Sequence, residues 1–212
     1  MNKQSIVTGY RLAFAVLGLA AMVTQLVKVW DKPGNPGNFF SFFTIESNIL
    51  TVAVLLYGVA RPGLLGRSPK LDLVRGAAVL YMTITFLVYG VLLSGYQEEL
   101  QTTIPWVDTV VHRILPIVIF LDWIIDPPDN RLSWRDALPR WIAFPALYLV
   151  YSLIRGPIVD WYPYPFLNPD QAGGVAALVA YSVGIAVVVA LGTWLIVWIG
   201  HHLRIAVTPA AP

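Results

Sequence analysis

The chain is built from apolar blocks of roughly 20 residues, the length that crosses a ~30 Å hydrocarbon core as one helix. Six such blocks run at about 5–29, 38–60, 71–94, 102–125, 137–155 and 173–201. Short turn-rich connections separate them, such as Asp31-Lys32-Pro33-Gly34-Asn35-Pro36-Gly37 and Asp126-Pro127-Pro128-Asp129-Asn130. Proline and glycine at these points stop helices. A soluble chain would need far more charge on its surface. Only 12% of the 212 residues are charged and mean hydropathy is +0.67, against about 25% charged in ordinary domains.

These blocks predict an all-α fold: a polytopic membrane bundle of six transmembrane helices forming a single domain over 1–212. Residues 3–21 could be read as a signal peptide, but the apolar stretch runs on to Trp30. That is too long for a signal core of 7–15 residues, so a retained first helix is expected. Cysteine is absent, which excludes disulfides and thiolate chemistry. The net charge of +2, with no basic run, leaves no nucleic-acid partner to expect.

Orientation follows from the basic residues in short loops. Lys3, Arg11, Arg61, Arg67, Lys70, Arg75, Arg131, Arg135, Arg140 and Arg204 fall on one side. Only Lys28, Lys32 and Arg155 fall on the other. Both termini are therefore expected in the cytoplasm.

Ionisable groups inside a span are costly and usually face a bundle interior, so each is a functional candidate. The second span carries Thr44, Glu46, Ser47 and Asn48. At 100° per residue Thr44, Ser47 and Asn48 share a face and Glu46 points elsewhere. The fourth span carries Asp108, His112, Arg113 and Asp122. Asp108 and His112 are four apart and can meet on one face. Counted at ~1.5 Å per residue from the predicted helix starts, Thr44 and His112 reach similar depths in the outer half. A threonine hydroxyl needs a base to become a nucleophile, and histidine is the commonest. The alternatives are ordinary ones: a threonine bonded to its own helix, a structural histidine, or a Glu46–Arg113 ion pair between helices.

Three segments carry a resemblance: Phe43-Thr44-Ile45-Glu46-Ser47-Asn48, His112-Arg113-Ile114-Leu115-Pro116 and Trp161-Tyr162-Pro163-Tyr164-Pro165-Phe166-Leu167. In order, spacing and six-span plan the chain resembles the androgen-induced and androgen-dependent six-span membrane proteins and their bacterial relatives. The animal members are intramembrane hydrolases that cleave fatty acid esters of hydroxy fatty acids, with a threonine nucleophile and a histidine partner. The resemblance implies that Thr44 is the nucleophile and His112 its base, on a lipid or fatty-acyl ester. It also implies a bacterial inner (plasma) membrane. Asp108 would orient His112, and Asn48, Ser47 or Arg155 would supply oxyanion donors. Glu46 makes the second span more polar than in the animal branch and is carried as a supporting residue. Tyr162, Tyr164 and Arg113 are the substrate-binding candidates.

No metal or other cofactor is expected, since Asp108 and His112 alone are too few ligands. The main rival is a small channel or transporter with a proton path through Glu46, Asp108, His112, Arg113 and Asp122. A haem protein is disfavoured because His112 lies at the opposite depth from His201 and His202.

Overall fold

A computed structural model describes residues 2–30, 37–65 and 67–207, with side chains up to Leu203. The predicted connection through Asp31–Pro36, with Lys32, and the Arg204 side chain lie outside the described residues. Among the described residues the protein is all-helical, without strands.

Five helices are long and apolar enough to cross a membrane. They are α1 (Lys3–Val29), α3 (Phe43–Ala60), α4 (Pro69–Val88, extended by a π-helical turn at Tyr89–Leu93), α7 (Trp134–Val159) and α9 (Val175–Val207). The predicted fourth span is helical too, as α5 (Pro105–Thr109), a π-helical turn (Val110–Ile114) and α6 (Leu115–Ile125). Every 18-residue stretch of it holds Asp108, Arg113 and Asp122, whereas each of the other five has such a stretch with at most two charged residues. Prolines open several of these pieces, Pro69 in α4 and Pro105 in α5. A helix start has no use for the missing N–H, and the fixed φ suits the first turn.

The second span departs from expectation. A single helix from Asn38 was predicted, but the chain forms a short α2 (Gly37–Phe40) and breaks at Ser41 and Phe42. Phe42 is extended, at φ −83° and ψ 127°, and α3 starts afresh after it. The Ser41 hydroxyl donates to Gly37 O at 2.7 Å, and Tyr148 donates to Ser41 O at 2.9 Å, which supplies the break with partners.

Helix α4 is the centre of the bundle and packs on α3, α6 and α9, while α1 covers α3 and α7 covers α9. In the most apolar stretch of the α4 span 61% of residues are buried, against 11% for α9. The outer face of α9 therefore exposes Val183, Val187, Leu191 and Trp194, an arrangement suited to lipid. Close approach at the α1–α3–α6 junction depends on Gly18. A Cβ there would lie 2.8 Å from both Leu115 and Val52 side chains. Small residues allow such contact between membrane helices.

Alternation of the helices gathers two polar centres at opposite ends. At one end Arg11 of α1 bonds both carboxylate oxygens of Asp122 (2.7 and 3.2 Å) and reaches Asp126 at 2.7 Å. Arg75 of α4 lies 3.8 Å from the same two carboxylates, donates to Asp126 O, and stacks over Trp123 at 4.8 Å. The charge count from the sequence places Arg11 with the N-terminus and Arg75 with the loop between the second and third spans, yet both side chains are buried. Breaking one partner of such a buried network typically costs about 3–5 kcal/mol. This cluster locks α1, α4 and α6 together.

Candidate functional site

The other end holds Thr44, His112 and Tyr164. Because of the break at Phe42, Thr44 is the second residue of α3 and not a residue deep within a longer helix. The first amides of a helix have no partner within it. The Thr44 amide donates to the Tyr164 phenol at 3.1 Å, and Thr44 Oγ1 lies 3.2 Å from the same oxygen. A phenol that accepts from the amide has its own proton available for Oγ1, which leaves the threonine proton free for another acceptor. Tyr164 reaches this position from the connection between α7 and α9, where burial pushes its pKa up to about 12. It therefore stays a protonated donor at neutral pH. Its ring stacks on Phe166 with 5.3 Å between centroids.

His112 sits in the π-helical turn, a widened geometry often found at functional sites. Its Nδ1 is 3.0 Å from Asp108 Oδ1 and 3.2 Å from Asp108 O. Tyr89, in the other π-helical turn, donates to Asp108 Oδ2 at 2.6 Å and stacks on the imidazole at 4.0 Å. Gln97 donates in turn to the Tyr89 hydroxyl at 3.1 Å. Asp108 as acceptor fixes the tautomer with hydrogen on Nδ1 and the free lone pair on Nε2. Among the described residues, Nε2 has no hydrogen-bond partner.

Two cavities meet at Thr44. The larger, about 180 Å³, lies between α3, α4, α7 and α9 and has an apolar wall that includes Phe43, Ile84, Val88, Leu149, Phe166 and Ile185. Thr44 and Tyr164 form part of that wall. The smaller, about 10 Å³, is bounded by Thr44 and His112 together with Gln25, Leu100, Gln101 and Thr102. It is about the size that holds one water molecule. Thr44 thus stands between a space for hydrocarbon and a small space that His112 also borders, whose wall includes Phe39, Phe42 and Ile45.

The remaining sequence candidates are placed differently from their expected roles. Asn48 uses both amide protons on backbone oxygens, Thr44 O at 2.7 Å and Val111 O at 3.1 Å. It ties α3 to the histidine turn and has no proton left for an oxyanion. Ser47 is buried, but it borders neither cavity. Glu46 is half-buried, with Oε2 unpartnered among the described residues. The Glu46–Arg113 pair does not form there.

Arg155 donates to Asn38 at 2.6 Å and lies 5.2 Å over the Trp161 ring, away from both cavities. Arg113 is exposed, with its guanidinium 5.7 Å from the Tyr89 ring centroid, and is not at the cavities either. Tyr162 packs on Gly156, where a Cβ would collide with its ring, and borders neither cavity. Its partner from the same motif, Tyr164, is the one that reaches Thr44.

Sequence reasoning missed Tyr89, Gln101 and Gln25. Gln101 carries a positive φ of 56°, an uncommon conformation for a residue with a side chain. Gln25 of α1 is 2% exposed, and neither its Oε1 nor its Nε2 has a partner among the described residues. A neutral amide in an apolar span is subject to the same desolvation argument that singled out the ionisable groups.

The fold and this centre together define a helical protein, with helices of membrane-spanning length, that carries a buried threonine–tyrosine pair facing a histidine–aspartate pair. No protein-family model, no curated protein and no solved structure matches the chain.

Proposed function

We propose that the protein is an intramembrane hydrolase of lipid esters, with fatty acid esters of hydroxy fatty acids or similar acyl esters as substrates. The observation that carries this reading is the position of Thr44 between the apolar cavity and the His112 cavity. The acyl chain occupies the apolar cavity, which brings its ester carbonyl to Thr44. His112 Nε2 accepts the Thr44 proton directly as the side chains close, and Oγ1 attacks the carbonyl carbon. Asp108 holds the imidazole and stabilises its cation, as the third member of a triad does. The Tyr164 phenol, 3.2 Å from Oγ1, donates to the oxygen that gains negative charge. Collapse of the tetrahedral intermediate expels the alkoxide, which takes its proton from His112, and leaves an acyl group on Thr44. Water then releases the carboxylic acid.

In this reading 105–125 is a sixth crossing, and both termini lie in the cytoplasm of a bacterial inner membrane. Its helical pieces span about 30 Å at 1.5 Å per residue. Its carboxylates have partners in the bundle, Asp108 with His112 and Tyr89, and Asp122 with Arg11 and Arg75. A channel with a proton path would need these polar groups in one line. Asp122 instead belongs to the ionic cluster at the far end, and Arg113 lies on an exposed face.

An active-site-directed fluorophosphonate probe tests the assignment. Labelling of the purified protein is expected to vanish in Thr44→Ala and His112→Ala while both still fold. Full labelling of both variants contradicts it.

A further inference from the structure

The proposed acylation step leaves three polar side chains on the small cavity unused, Gln25, Gln101 and Thr102, and Gln25 is the most deeply buried of them. Gln25 is almost wholly enclosed and both amide atoms lack partners among the described residues. Leaving such groups unpaired is costly, and native structures rarely do so without a reason. An apolar residue of the same shape would serve packing in α1 better. The cavity it borders is the size of one water, and its other polar walls include Thr44 and His112. A buried water typically makes about three hydrogen bonds. The Gln25, His112 and Thr44 side chains can supply such a set, and Gln101, with Oε1 unpartnered among the described residues, borders the same cavity.

We propose that Gln25 holds the hydrolytic water that releases the acyl group from Thr44. This rests on the Thr44–His112 hydrolase reading. The water donates one hydrogen to Gln25 Oε1 and the other to His112 Nε2, which turns an oxygen lone pair toward the acyl carbon. As the water oxygen forms its bond to that carbon, His112 takes the proton. The bond from the carbon to Thr44 Oγ1 then breaks, His112 returns the proton to Oγ1, and the free carboxylic acid leaves. Gln25 Nε2 remains available to donate to the carbonyl oxygen during this step. A glutamine that orients an attacking water has a precedent in nucleotide hydrolysis. Gln25 has no part in the first attack, since the alcohol leaves before water is needed.

This separation of steps makes the proposal testable with the full chain in detergent, using a p-nitrophenyl ester of a fatty acid. Gln25→Leu is expected to release a first burst of about one p-nitrophenolate per protein and then turn over about 10–100-fold more slowly than the parent. Intact mass should show the acyl adduct accumulating. Because the amide has no partner among the described residues, Gln25→Leu and the straight-chain Gln25→Met should unfold at the parental temperature or above it. Loss of burst and turnover together overturns the proposal, as does an unchanged steady state. Failure of both variants to fold also overturns it, since the amide would then serve packing. Thr44→Ala distinguishes the deeper failure: if it releases p-nitrophenolate at the parental rate, the hydrolase reading itself is wrong.

Discussion

Thr44 is held by Tyr164, whose phenol takes the Thr44 amide at 3.1 Å and lies 3.2 Å from its hydroxyl. His112 faces the same threonine across a cavity the size of one water. The proposed nucleophile is thus positioned by the aromatic motif that precedes α9, and its proposed base comes from another helix. Tyr164→Phe keeps the stack on Phe166 and removes both bonds. Turnover of an acyl ester is expected to fall by about 10²-fold, in the range for a lost oxyanion donor. Full activity in the phenylalanine variant would remove Tyr164 from the mechanism.

The same phenol sets a pH dependence. Burial raises the Tyr164 pKa to about 12, above the ordinary value of 10.0, so the folded state retains this proton longer than the unfolded state. Stability from this group is fully present below pH 10 and is lost as pH rises toward 12. The melting-temperature advantage of the parent over Tyr164→Phe should therefore shrink across that window and stay constant between pH 7 and 9. A gap that widens with pH would contradict this.

Asp108 binds His112 on one carboxylate oxygen and Tyr89 on the other, at 3.0 and 2.6 Å. Asp108→Asn preserves the shape and removes the charge that favours an imidazolium. The expected loss in kcat is on the order of 10²–10⁴-fold, with little change in KM. A change confined to KM would assign Asp108 to substrate binding.

The ionic cluster at the opposite end predicts a stability effect separate from activity. Asp122→Asn leaves Arg11 and Arg75 short of a buried counter-charge and should destabilise the protein by about 3–5 kcal/mol. The Arg11→Met, Asp122→Leu double variant should lose less than the sum of its single variants, because neither charge is then stranded. Thermal unfolding in detergent reads both. Probe labelling per folded molecule should be unchanged in each.

Much of the helical plan was legible in the apolar blocks, because block length and Pro/Gly punctuation are direct consequences of spanning hydrocarbon. The break at Ser41 and Phe42 was not legible, since it lies in Phe39-Phe40-Ser41-Phe42-Phe43, which contains neither glycine nor proline. The π-helical turns at Tyr89–Leu93 and Val110–Ile114 leave no trace in composition either. Asp108 and His112 could be paired because an i, i+4 spacing fixes a common face. Arg11 and Asp122 are 111 residues apart, and no local pattern relates them. The sequence puts Asn48 on one face with Thr44 and Ser47, and all three are buried, but its donors go to backbone oxygens that only the packed helices reveal. Gln25 has no ionisable group beside it in the first span's interior to draw attention, unlike the neutral Thr44, Ser47 and Asn48, which flank Glu46.

Topology can be tested cleanly because the chain has no cysteine of its own. A cysteine at Glu98 should react with a membrane-impermeant maleimide added to intact cells, while one at Arg131 should react only after lysis. The reverse pattern would invert the bundle, and labelling of both from outside would remove the crossing at 105–125.

The central claim is that Thr44 is a nucleophile, and the most direct test is to find where the covalent adduct forms. Protein treated with a fluorophosphonate, digested and sequenced by tandem mass spectrometry should carry the phosphonyl group on Thr44. The adduct should be missing from His112→Ala. An adduct on Ser41, Ser47 or any other hydroxyl, with Thr44 unmodified, would contradict the account.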